Sequence, residues 1–140
     1  MRSEILADAQ RGQQDAVGAL SDALMAIELG KDAYVCSLSQ RREYLAFALT
    51  NYQRFKHQRL YDPAISSPDV AKSGTAREMK VACIAMGQAY QAHLRDWPIS
   101  RITEEWDAYR TAVRLAGSRL RRQLLAEAAR INALIDTGAL

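Results

Sequence analysis

Residues 79–97 read MKVACIAMGQAYQAHLRDW, and the spacing within this stretch decides the fold. Met79, Cys83, Met86, Tyr90, His93 and Trp97 follow one another at steps of four, three, four, three and four. Such steps return to one side of a helix with 3.6 residues per turn, so the stretch reads as a helix with an apolar seam. Just ahead, Thr75-Ala76-Arg77-Glu78 has the spacing of a capping box, in which hydroxyl and carboxylate each cover a free backbone N–H. Pro98 cannot continue the ladder. A helix is therefore expected from Thr75 to Trp97.

The same rhythm extends in both directions. Toward the C-terminus, Ile102, Trp106, Tyr109, Val113, Ala116, Leu120 and Leu124 form a stripe that Glu127 interrupts and Ile131 and Leu134 resume. This predicts a helix from Ser100 to Asp136, ended by Thr137-Gly138. Toward the N-terminus, Tyr34, Leu38, Arg41, Leu45, Ala48, Tyr52 and Phe55 predict a helix from Asp32 to Leu60. Arg41 is the charged intruder, whose stem can snorkel outward. Tyr61-Asp62-Pro63 should end that helix, because proline disfavours helical backbone at the residue before it. Between Asp62 and Ser73 lies the longest break, where Pro68 could open a short turn behind a Ser67 cap. A first helix is expected from Ser3, as N-cap, to Leu29, with Gly30 in the left-handed C-cap position. Gly12 and Gly18 inside it predict a kink or a close helix contact. Four long helices with mostly short connections imply an all-α, up-down-up-down four-helix bundle, one domain over residues 1–140.

Bulk properties agree with that expectation. A chain of 140 residues can bury about two-thirds of its unfolded surface, so it needs no disulfide or structural metal. Apolar residues at 49% and charged residues at 25% exclude a disordered chain, and only seven Gly and three Pro argue against a hairpin-rich fold. Cys36 and Cys83 fall in separate helices with no CxxC, which excludes a disulfide framework and a c-type haem motif. Asp8, Arg11 and Asp15 break the N-terminal region, so no secretory signal is read there. The most apolar run, Ala16 to Leu29, contains Ser21, Asp22 and Glu28 and is too short to span a bilayer. No membrane association is expected, and the cytoplasm is the expected compartment. A net charge of +3 permits an anionic partner without requiring one.

Few residues offer chemistry. His93 lies in the seam of its helix with Met86 seven residues before it, a pair that could ligate haem in a bundle core. The plainer reading is a core histidine hydrogen-bonded to a neighbouring helix, with methionine as filler. His57 and Asp62 have HxxxxD spacing, which can serve a metal, although Arg54, Lys56 and Arg59 crowd the same stretch with positive charge. No ExxH occurs, so the carboxylate–histidine pattern of a di-iron bundle is missing. Cys83 and His93 sit ten residues apart on one helix, about 15 Å, too far for a thiol–imidazole pair. Arg110, Arg114 and Arg121 share a helix face at a spacing that can follow phosphates, but Glu104, Glu105, Asp107 and Glu127 share the helix, so nucleic-acid binding is not expected. Trp97, Trp106 and Tyr109 should pin the corner between the last two helices.

Two stretches carry a family likeness. Tyr52-Gln53-Arg54-Phe55-Lys56-His57-Gln58-Arg59-Leu60-Tyr61-Asp62-Pro63, and His93-Leu94-Arg95-Asp96-Trp97 followed by Glu105-Trp106-Asp107-Ala108-Tyr109-Arg110, resemble bacterial hemerythrin-like bundle proteins. The resemblance implies a four-helix bundle and, in that family, a di-iron centre held by several histidines in HxxxE, HxxxH and HxxxxD pairs. This sequence has two histidines, and only His57 with Asp62 matches any of those spacings. The resemblance therefore implies a relative without the metal, and no metal or cofactor is expected. The sequence favours a non-enzymatic regulatory or protein-interaction module, self-associating or bound to a protein partner. The alternative is a bundle with a sensing role that binds a small ligand, metal or haem, with His57, Asp62, His93 and Met86 as candidate ligands.

Overall fold

A computed structural model describes residues 2–137, nearly all of them helical. Helix α1 spans Arg2–Ala26 and runs into a 3-10 turn, Ile27–Leu29. Helix α2 (Lys31–Cys36) precedes α3 (Leu38–Phe55), which passes through a π-helical turn (Lys56–Tyr61) into α4 (Asp62–Ile65). Helix α5 spans Val70–Asp96, α6 Ile99–Glu104 and α7 Trp106–Asp136. The expected all-α class holds, because every apolar stripe has helical period and buries one side of its helix. No helix among the described residues is long and apolar enough to cross a membrane.

Several expected boundaries move, each for a local reason. Helix α1 already includes Arg2, so Ser3 lies inside its first turn rather than capping it. Gly30 has φ 104° and ψ 163°, outside the left-handed helical cap region and in a region that glycine alone tolerates. The chain there swings from the 3-10 turn directly into α2. Helix α5 begins before Thr75: the Asp69 carboxylate accepts from the backbone N–H groups of Ala71 at 3.0 Å and Lys72 at 3.2 Å. Asp caps at least as well as Thr, and starting earlier adds a turn of backbone bonds. The Thr75–Glu78 box is left inside the helix. The expected last helix is divided at Glu105, where φ −121° and ψ 50° separate α6 from α7. Thr137 closes α7, its N–H donating to the Ala133 carbonyl, while Gly138 lies outside the described residues.

Pro63 does not end the second long helix. The Asp62 N–H donates to the carbonyl of His57, five residues back, in the wide π pattern. Pro63 then falls in the first turn of α4, where a missing N–H costs nothing. The buried side runs from Tyr52 through Lys56 to Leu60, Tyr61 and Ala64. A lysine is thereby directed into the core.

The core has two parts. The larger centres on Leu20, Tyr52, Tyr61, Met79, Leu124 and Ile131, and the smaller on Ile27, Tyr34, Leu38, Trp97, Ile102 and Tyr109. Leu24 packs against both. Helix α1 lies against α3 and α7, and α5 against α7 and α3. Polar contacts mark how the ends meet: Arg2 pairs with Asp136 at 3.1 Å, Arg114 with Glu28 at 2.6 Å, and Arg42 donates to the Leu94 carbonyl at 3.1 Å. Gly12 supplies the close contact expected of it, since a Cβ there would lie 2.6 Å from Cδ1 of Tyr52. Gly18 faces open space.

Candidate functional site

A cavity of about 140 Å³ lies among α1, α2, α3, α5 and α7. Small side chains at Ala23, Ala89, Ala116 and Gly117 leave the room, and Leu20, Leu24, Leu45, Val113 and Leu120 supply apolar wall. Its polar groups come from three tyrosines, a histidine, arginines and Gln123. The hydroxyls of Tyr34 (α2) and Tyr109 (α7) are hydrogen-bonded at 3.0 Å. Tyr109 also meets Trp97 with ring centres 5.3 Å apart and an interplanar angle of 62°, and stacks on His93 at 6.3 Å and 21°. Trp106 lies 5.4 Å from Tyr34. Of the aromatics expected to pin the corner, Tyr109 lines the cavity, and Trp97 and Trp106 pack behind it and Tyr34.

Charge in this cavity is one-sided. Arg42, half-buried on α3, donates from Nη2 to the Leu94 carbonyl at the end of α5. Arg41, half-buried beside it, donates from Nε to the Ser37 hydroxyl at 2.8 Å and does not snorkel freely. Arg119 of α7 lines the same space. Among the described residues none of the three is paired with a carboxylate. Burial raises the pKa of Tyr34, Tyr90 and Tyr109, that of Tyr90 to about 12, so all three remain neutral hydroxyls at physiological pH. Burial lowers the pKa of His93, the Arg42 charge lowers it further, and Asp96 opposes the shift.

A second polar cluster is sealed in the core. Lys56 of the π-helical turn places Nζ 2.6 Å from Oε1 of Glu127 on α7, with side-chain exposures of 3% and 9%. Tyr61 donates its hydroxyl to Oε2 of the same carboxylate at 2.7 Å. Lys56 Nζ also stands 4.2 Å from the centre of the Tyr52 ring. Glu127, read as an interruption of the stripe, thus faces inward with partners on both oxygens. Burial pushes the nearby Cys83 thiol up, which makes it a poor nucleophile at neutral pH.

The four candidate ligands divide between places. His93 and Met86 both line the cavity. Its volume matches one that accommodates a benzene-sized molecule, so the pair does not fit a porphyrin. His57 lies in the π-helical turn beside Tyr61, ring centres 5.9 Å apart, and its buried Nε2 has no hydrogen-bond partner among the described residues. Asp62 is exposed and paired with Lys80 at 2.6 Å. Three or more His, Cys, Asp or Glu side chains arranged to hold a metal ion do not occur among the described residues, so a di-iron centre does not fit. On the arginine face of α7, Arg114 is engaged in a two-pronged bond to Glu28.

No protein-family model, curated protein or solved structure matches this chain. The site is therefore read from its own geometry. Sequence reasoning placed Met86, Tyr90 and His93 on one seam but missed Arg42 and Tyr34 as their companions. The available signal was the Arg41-Arg42 pair at the seam of the second helix. Lys56 and Glu127 also carried a signal, since a core-register acid calls for a cation opposite it.

Proposed function

We propose that this chain is a non-enzymatic, ligand-binding helical module, in which a small molecule occupies the cavity beside His93, Tyr34, Tyr90 and Tyr109. The observation that carries the reading is a largely apolar cavity with a few convergent polar groups, the usual makeup of a small-molecule site. We read the frame as an up-down-up-down four-helix bundle. Supporting this are Arg2 with Asp136 and Glu28 with Arg114 at opposite ends of α1, and Arg42 with Leu94 between the start of α3 and the end of α5. On this reading the hemerythrin-like likeness extends to the helical frame and not to the metal. The absence of chemistry rests on the buried, high-pKa Cys83 and on histidines in separate surroundings. Binding is tested by thermal shift against a library of single-ring compounds. A ligand at 100 times its Kd should add about 2.7 kcal/mol of stability, and a library that leaves the midpoint unmoved would remove the reading.

A second reading, self-association, is favoured by one observation. A cleft between α3 and α5 has Ile84 on its rim, and Tyr44 and Phe47 of α3 and Val81 of α5 are exposed large apolar side chains. A second copy covering that face would make the protein a dimer, and F47E should then convert it to a monomer in light scattering. A monomeric parent protein would exclude it.

A further inference from the structure

We infer that the cavity takes a small organic anion, a carboxylate on a compact, single-ring-sized apolar body, with Arg42 as its anchor. This inference rests on the ligand-binding reading of the same cavity and goes on to the class of ligand. Three observations carry it. The first is size: about 140 Å³ gives room for one ring.

The second is the state of Arg42. A guanidinium has five N–H donors in a planar fork, and Arg42 uses one of them, on the Leu94 carbonyl. It is half-buried and unpaired with any carboxylate among the described residues, while Arg41 stands beside it and Arg119 lines the same cavity. Taking a cation out of water is unfavourable unless an anion or several hydrogen bonds replace the water, and a carboxylate fits the fork with two parallel bonds. The third observation is what faces Arg42. Tyr34, Tyr90, Tyr109 and His93 are all close enough to feel its charge, and all are neutral at pH 7. Hydroxyls can donate to an anion's remaining lone pairs, and aromatic faces suit a flat apolar body. Elsewhere the protein pairs its inward charge, as Lys56 with Glu127 shows. Arg42, like Arg41 beside it, has no carboxylate within ion-pair distance among the described residues, and both line the cavity.

The test is an NMR titration of the full chain with sodium benzoate, following the His93 imidazole and the Trp97 and Trp106 indole signals. Benzamide, which keeps the ring and loses the charge, and acetate, which keeps the charge and loses the ring, are run in parallel. Benzoate should saturate these shifts and bind at least about tenfold more tightly than benzamide, the scale of one charge-assisted bond. Acetate should leave the signals in place. R42Q keeps an amide donor for the Leu94 carbonyl and should bring benzoate down to the affinity of benzamide. If that variant does not fold, the three-compound comparison on the unaltered chain decides alone. Equal binding of benzoate and benzamide overturns the anion inference and leaves the ligand-binding reading standing. Acetate acting as strongly as benzoate overturns the apolar half, and silence from both aromatic probes overturns inference and reading together.

Discussion

Glu127 occupies a core register on α7, where its two oxygens are met by Lys56 at 2.6 Å and Tyr61 at 2.7 Å. A buried ion pair is weak evidence for net stability, yet breaking it by removing one partner is severe. Glu127→Leu leaves a buried ammonium unpaired and should cost about 3–5 kcal/mol in urea unfolding. The double variant K56M/E127L should recover most of that loss, with the Tyr61 hydroxyl still short of a partner at about 1–3 kcal/mol. A single variant that loses less than about 1 kcal/mol would show that the lysine escapes to water. Histidines set a second residue-scale expectation. His57 is held below the ordinary imidazole value by burial and the Lys80 charge, His93 by burial and the Arg42 charge. Below pH 6.5, the unfolded value, the unfolded chain therefore binds more protons than the folded one. Stability from this source is complete above that pH and is lost as pH falls from there through the folded pKa values. H57Q/H93Q should flatten the dependence of the urea midpoint between about pH 7 and 5.

At the scale of elements, spacing made the helices legible, while their ends and continuity were not. Tyr34, Leu38, Leu45, Ala48 and Tyr52 are buried as the stripe of the second helix predicts. The cap at Asp69 and the break at Glu105 were missed, because cap signals compete and only the summed backbone bonding chooses among them. Pro63 was read as a stop because local sterics disfavour helix before proline, but a π turn upstream removes the conflict. The two glycines of α1 show the same division between local and tertiary effects. Gly18→Ala meets nothing within 4 Å and should stabilise by about 0.5–1 kcal/mol, the backbone entropy that glycine loses in a helix. Gly12→Ala would drive a methyl into the Tyr52 ring and should destabilise despite the better propensity. Thermal midpoints that move in the same direction for both would refute the α1–α3 contact.

For the whole molecule, the two thiols report on packing. Cys36 is exposed and Cys83 buried, so a thiol reagent should titrate one cysteine rapidly in native protein and both in denaturant. Two fast thiols would mean that the α5 seam opens on its own.

The sequence by itself determined that the chain is helical, which residues form the seams and where His93 and Met86 fall, because helical period and short-range sterics act within a few residues. Only the tertiary structure decided that Lys56 turns inward to meet Glu127, and that Tyr34, Tyr109 and Arg42 converge on His93 and Tyr90. Those meetings join residues up to 75 positions apart, and they depend on how the helices pack and on a one-residue π widening that changes which side of the chain faces inward.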